Sequence, residues 1–292
     1  MGERIIDVIH KKGITLSFEV FPPKKSQDRD LSIIFGTIEK LVDLKPDFIS
    51  VTYGAGGGNK SRASEISQFI QTTTNSIALA HLTCVGYLKK DIKEILDKFY
   101  SIGVRNILAL RGDIPAGVTF PHDAWQDFQY AKDLIQLIKE DGRFCIGAAA
   151  YPEGHVQCKD LKKTIKHMKA KIEAGADFFI TQLFFENELF YKFMDMVESA
   201  GITAPVIPGI MPVLRAKQIK RIVELTGASI PVKLNRLLEK YENKPEEMEK
   251  AGIEYALAQV EDLIETGVKG IHLYTMNKAR QACEIVKKAG LR

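Results

Sequence analysis

The chain lacks the marks of several protein classes. No apolar stretch approaches the roughly 20 residues of a membrane span, and Met1 to Lys12 is charged rather than signal-like. The four cysteines, Cys84, Cys145, Cys158 and Cys283, form no C-x-x-C pair. That argues against a disulfide framework and a clustered thiolate metal site, and it fits a reducing cytoplasm. The histidines show neither H-x-x-x-H nor H-E-x-x-H spacing, so no metal site is expected, and a G-x-S-x-G elbow is absent. The net charge is only +4, with lysines spread along helical segments, so no nucleic-acid surface is inferred. No linker-like or low-complexity segment divides the 292 residues, so one domain spanning 1–292 is expected.

What is present is a regular alternation. Short apolar runs rich in β-branched and aromatic residues occur at Thr15–Val20, Phe48–Thr52, Ile77–Cys84, Asn106–Leu110, Phe144–Ala150, Phe178–Gln182, Val206–Ile210 and Gly270–Leu273. Amphipathic segments separate them, such as Leu31, Ile34, Phe35, Ile38, Leu41 and Val42, with apolar residues three and four apart. Gly175 marks the end of one helix before the next strand. Eight strands alternating with helices predict an α/β fold, a (β/α)8 TIM barrel rather than an open doubly wound sheet. Ile230 to Thr266 is too long for one crossover helix and predicts two helices broken around Asn243-Lys244-Pro245, an extended helical segment before the last strand.

A barrel places its chemistry where strands end. The strand ends here offer Glu19, Thr52 with Tyr53, His81 with Thr83, Arg111-Gly112-Asp113, Tyr151 with His155, and Gln182. Glu19 stands in a run of Leu, Phe and Val stopped by Pro22 and Pro23. A carboxylate there either reaches solvent at the strand end or is buried for a purpose. Arg111 and Asp113 either pin their own loop as an ion pair or serve a ligand. His81 is either an interior hydrogen-bonded histidine or a site residue. The stretch Gly54 to Ser61 superficially resembles a phosphate loop, but Asn59 separates Lys60 from the last glycine and no G-x-G-x-x-G is present, so a flexible loop over the barrel mouth is the expectation.

Several motifs come in order: Leu-Ser-Phe-Glu-Val-Phe-Pro-Pro-Lys (Leu16 to Lys24), Ser-Val-Thr-Tyr-Gly-Ala (from Ser50), His-Leu-Thr-Cys (from His81), Ala-Leu-Arg-Gly-Asp (from Ala109), Ala-Ala-Tyr-Pro-Glu-Gly-His (from Ala149), Ala-Gly-Ala-Asp-Phe-Phe-Ile-Thr-Gln-Leu-Phe-Phe (from Ala174), Pro-Gly-Ile-Met-Pro (from Pro208) and Tyr-Thr-Met-Asn (from Tyr274). Each is modest alone. Together they closely resemble the 5,10-methylenetetrahydrofolate reductase family, nearly end to end.

The resemblance implies a flavin-bearing barrel that passes a hydride from NADH, NADPH or a redox partner subunit through FAD to methylenetetrahydrofolate. It implies Glu19 as the general acid that opens the folate's imidazolidine ring and Asp113 beside flavin and pterin. Gln182 would meet folate and nicotinamide, Gln218 the folate, and Lys278 the folate's glutamate tail. Thr52, Tyr53, Ala55, His81, Arg111, Gly112, Asp113, Tyr130, Ala131, Tyr151, His155, His167 and Lys171 match the family's FAD-lining positions. Two residues depart from the usual pattern. Thr164 stands where many members carry Asp, and Lys278 where many carry Arg, which keeps the charge without the bidentate fork. The chain ends at Arg292 without the regulatory domain of the eukaryotic enzymes, which implies a bacterial- or archaeal-type catalytic unit. A cytoplasmic protein, as a homo- or hetero-oligomer, fits this reading. Two alternatives stay open: another flavin barrel such as a proline dehydrogenase, and a catalytically silent or partner-dependent flavin- or folate-binding subunit of a larger redox complex.

Overall fold

The computed structural model describes residues 2–23, 30–53, 60–114, 119 and 122–292. Among the described residues nine strands form one parallel sheet: β1 (Thr15–Val20), β2 (Phe48–Val51), β3 (Ile77–Thr83), β4 (Asn106–Leu110), β5 (Cys145–Ala150), β6 (Phe178–Thr181), β7 (Val206–Ile207), β8 (Gly209–Ile210) and β9 (Gly270–Tyr274). The helices are α1 (Ile5–Lys11), α2 (Ser32–Val42), α3 (Lys60–Thr73), α4 (Lys89–Ser101), α5 (His122–Asp127), α6 (Ala131–Asp141), α7 (Leu161–Ala174), α8 (Asn187–Ser199), α9 (Ala216–Thr226), α10 (Val232–Lys240), α11 (Pro245–Glu265) and α12 (Ala279–Lys288).

The expected strand Val206–Ile210 is two strands, because Pro208 has no N–H to give a ladder. Its halves face opposite neighbours. Val206 and Ile207 pair with Phe179 and Ile180 of β6, while Gly209 and Ile210 pair with His272 and Leu273 of β9. The Pro208 carbonyl accepts the N–H of His272 at 3.0 Å. Since β9 also pairs with β1, this broken strand completes the ring, and the architecture is a (β/α)8 barrel with its seventh strand divided.

Alternation along each strand sorts the core into two layers. Leu16, Phe18 and Val20 of β1 face the helices in the larger outer core. A second cluster fills the barrel with Phe48, Leu79, Leu108, Phe178, Ile180 and Ile207, and α1 adds Ile5, Ile6 and Ile9 to it. Asn106 fixes that helix by accepting the Ile5 N–H at 2.8 Å and donating to the Glu3 carbonyl at 3.0 Å. At the strands' N-terminal end the buried Asp47 carboxylate accepts Leu16 N–H, Lys12 and Arg292. The helices α10 and α11 break where Asn243-Lys244-Pro245 predicts, with Pro245 in the first turn of α11, where its missing N–H costs nothing. Among the described residues no helix is long and apolar enough to cross a membrane.

Candidate active site

Ser17 and Glu19 alternate with the outward-facing Phe18, so both project into the barrel. The Glu19 carboxyl is buried near the mouth, with Oε2 3.5 Å from His81 Nε2 and 3.9 Å from His272 Nε2. The His272 Nδ1 lies 2.8 Å from the Ser17 hydroxyl. Burial pushes His81 down to about 4, overcoming the upward pull of Glu19. His81 is therefore a neutral imidazole at neutral pH and offers Glu19 no full counter-charge. The loop after β9 holds this strand end from the other side. Thr275 Oγ1 donates to the Glu19 carbonyl at 2.7 Å, and the Asn277 side chain bonds both backbone groups of Phe21.

Glu19 opens into a cavity of about 390 Å³ shared with Thr52, His81, Arg111, Gly112, Asp113, Tyr151, His155, Gln182 and Tyr274. The turn Arg111-Gly112-Asp113 needs its glycine. Gly112 has φ +85°, and a Cβ there would lie 2.8 Å from Val85 Cγ1 and 2.9 Å from Thr83 Cβ. Arg111 donates to Gln157 Oε1 at 2.8 Å and to the Gly112 carbonyl at 3.3 Å, so the guanidinium is turned to its neighbouring loop rather than to Asp113. Burial and then the Asp113 charge push the Tyr151 hydroxyl up to about 12. The Tyr274 hydroxyl, pushed well above the usual phenol range chiefly by burial, donates to the Thr181 carbonyl at 2.6 Å.

A second cavity of about 580 Å³ opens beside the first, between the ends of β4 and β5 and the helices α6 and α7. It shares Arg111, Tyr151 and His155 with its neighbour and adds Tyr130, Ala131, Thr164, His167 and Lys171. Among the described residues that line it, none is acidic. Tyr130 stacks on His167 with ring centroids 6.4 Å apart, and Tyr151 meets His155 edge-on at 4.9 Å. Lys171 donates to the Ala149 carbonyl at 2.8 Å, 5.6 Å from the Tyr151 ring centroid. Burial pushes its ammonium down to about 8. Burial and then the Arg111 charge lower His155 as well. Cationic and aromatic walls with N–H donors to spare make this a cleft for an anion joined to flat rings.

A third cavity, of about 210 Å³, holds Gln218 on α9 together with Met276 and Lys278 of the β9–α12 loop. One expected site residue falls elsewhere, and one is not among those described. Tyr53 is packed into the outer core, which also contains Tyr87, and lines none of these cavities. Ala55 lies outside the described residues, as does Gly54–Asn59 of the expected mouth loop. The structure adds His272, Tyr274, Thr275 and Asn277. All four follow Thr266, in a segment read only for strand grammar and family motif. Among the described residues no three His, Cys, Asp or Glu side chains are grouped to hold a metal.

Residues 4–290 match the family model described as methylenetetrahydrofolate reductase. The chain belongs to this family. It is 37% identical over 279 residues to the 5,10-methylenetetrahydrofolate reductase of Salmonella typhimurium, covering 96% of this chain and 92% of that one. The Escherichia coli enzyme of the same name gives the same identity and coverage. Methylenetetrahydrofolate reductase 1 of Schizosaccharomyces pombe is 34% identical over 294 residues, all of this chain but 48% of that one. A solved structure of an uncharacterized Clostridium thermocellum protein, which binds two copies of 5-methyl-5,6,7,8-tetrahydrofolic acid, superposes with TM-score 0.65 over 98% of this chain and 99% of that one. At 16% identity it speaks for the shared fold alone.

Proposed function

We propose that the whole chain is one catalytic barrel that reduces 5,10-methylenetetrahydrofolate to 5-methyltetrahydrofolate, using FAD as hydride carrier and NADH or NADPH as donor. The observation that carries this reading is the pairing of two cavities of opposite character across Arg111, Tyr151 and His155. One contains the two carboxyls Glu19 and Asp113, and the other has no acid among the described residues that line it.

The acid-free cleft fits FAD. Arg111, His155 and Lys171 supply donors for a pyrophosphate, and Tyr130, His167 and Tyr151 supply ring faces. Ala131 lines the same cleft, and Thr52, His81 and Gly112 of the family's set line the cavity beside it, whereas Tyr53 lies in the outer core and Ala55 outside the described residues. Thr164, where many relatives carry Asp, bonds its own helix through the Asp160 carbonyl at 3.1 Å, so this chain places no acid there. When bound, FAD supplies the hydride transfer between nicotinamide and folate.

The protein's own residues do the rest. Glu19 donates a proton to the nitrogen that leaves the folate's methylene bridge, and the neutral His81 beside it can hydrogen-bond that carboxyl without trapping it in an ion pair. Asp113 faces the pterin and opposes extra negative charge nearby. Gln182 orients folate and nicotinamide in turn, while Gln218 and Lys278 hold the folate farther out.

Purified protein tests this directly. Denaturation should release FAD. Anaerobic protein reduced by NADH or NADPH should be reoxidised by methylenetetrahydrofolate. Release of FMN, or of no flavin even after reconstitution with FAD, overturns the cofactor assignment. Failure of the folate to reoxidise reduced flavin overturns the reaction.

A further inference from the structure

The segment that follows β5 is tied to the far end of α9. Glu153 Oε2 accepts the backbone N–H of Ser229 at 2.9 Å. Lys159 Nζ donates to the Gly227 carbonyl at 2.6 Å. Gly227 ends α9 with φ +70°, and its N–H bonds the Val223 carbonyl at 2.7 Å. A Cβ on Gly227 would lie 2.5 Å from Lys159 Nζ and 2.9 Å from Val156 Cγ1, so the approach requires glycine. The ammonium also meets the end of the helix that carries partial negative charge.

This tie joins two working parts. The segment from Tyr151 to Lys159 carries Tyr151 and His155 into the acid-free cleft and brings Gln157 to Arg111. Helix α9 lines the Glu19 cavity with Leu225 and Thr226, then runs back about 12 Å at 1.5 Å per residue to Gln218 in the neighbouring cavity. Neither Glu153 nor Lys159 lines any of the three cavities. A helix moves as a stiff rod, so fixing its C-terminal end constrains the position of Gln218.

We propose that Glu153 and Lys159 are positioning residues that fasten α9 to the cofactor-side loop and so set where Gln218 meets the folate. This rests on the assignment of Gln218 to the folate given above. The fasteners act on folate binding alone, because reduction by nicotinamide makes no use of Gln218.

Lys159→Met and Glu153→Ala remove the two ties, and Glu153→Gln keeps an acceptor for Ser229. Folate KM and kcat and the rate of flavin reduction by nicotinamide are measured for each, with Lys159→Met repeated in a Gln218→Ala background. Lys159→Met and Glu153→Ala should raise the folate KM about five- to tenfold, roughly the worth of one ordinary hydrogen bond, because the lost tie acts on the folate only through α9. Flavin reduction should stay within about twofold. Glu153→Gln should restore the KM, and Lys159→Met should add nothing once Gln218 is gone. A KM that Gln218→Ala raises but the fastener variants leave unchanged overturns the proposal. So does a Lys159→Met effect that persists in full without Gln218. An unchanged KM in Gln218→Ala alone overturns the assignment of Gln218 to the folate, and the proposal with it.

Discussion

Asn277 grips Phe21 at both of its backbone groups. The Phe21 N–H donates to Asn277 Oδ1 and Asn277 Nδ2 donates to the Phe21 carbonyl, each at 2.8 Å, across 256 positions of sequence. Asn277 has φ +58°, in the left-handed region that Asn tolerates better than most residues. Asn277→Gly keeps that backbone and deletes the grip, at a cost of about 1–3 kcal/mol in urea unfolding. Asn277→Ala adds about 1–2 kcal/mol of left-handed strain. Because Phe21 lies two residues beyond Glu19, folate-dependent reoxidation should slow more than reduction by nicotinamide. A glycine variant matching the wild type in both unfolding and half-reactions would show the grip to be incidental.

Glu19→Gln separates the half-reactions more sharply. Glutamine preserves size and much of the hydrogen bonding but cannot serve as the acid. Flavin reduction by nicotinamide needs no protein acid and should be near normal. Reoxidation by methylenetetrahydrofolate should fall by about 10²–10⁴-fold, the usual contribution of a general acid. Equal slowing of both half-reactions would make Glu19 structural.

Lys171 predicts proton uptake on cofactor binding. Burial holds its ammonium down to about 8 in the flavin-free protein, so at pH 8.5 most of it is neutral. A pyrophosphate alongside favours the charged form. Calorimetric titration with FAD at pH 8.5, in buffers of different ionisation enthalpy, should reveal uptake of most of one proton, falling toward zero at pH 7. Lys171→Arg stays charged throughout and should show none. Uptake unchanged in the arginine variant would assign the proton to another group.

His81 predicts an acid weakness. Its pKa is pushed from 6.5 down to about 4 in the folded state, so between those values the unfolded chain binds the extra proton and the folded one does not. Stability from this group is complete above pH 6.5 and is lost as pH falls toward 4. The loss is about 2 kcal/mol by pH 5. His81→Gln should flatten that part of the pH–stability curve by this amount. Parallel curves for the two proteins would refute the burial effect.

The strands and the rim were legible in the sequence because both depend on local pattern. Apolar runs mark the strands, and polar residues just past them mark the mouth. Glu19, Arg111, Asp113, Tyr151, His155 and Gln182 were all visible this way. The split at Pro208 was not, since one proline in a five-residue apolar run can end, bend or divide a strand, and only the neighbours decide which. His272, Tyr274, Thr275 and Asn277 were hidden for a different reason. His272, Thr275 and Asn277 work on β1 and the residue just past it, and Tyr274 on Thr181 of β6, neighbours that meet β9 only after the ring closes. Tyr53 shows the converse, because a position just past a strand does not settle which way the side chain turns, and this one joins the outer core.

The divided strand also makes the ring mechanically uneven. Two residue pairs hold each side of the break at Pro208, against four or five at each of the other six strand interfaces. Cooperative sheets open first where the fewest bonds must break. The lines of least resistance thus run along both flanks of the divided strand, one beside β6 and one beside β9, whose His272 reaches Glu19 from behind. A barrel built this way can breathe along these two seams, one of them next to its acid, while the rest of the ring keeps its register.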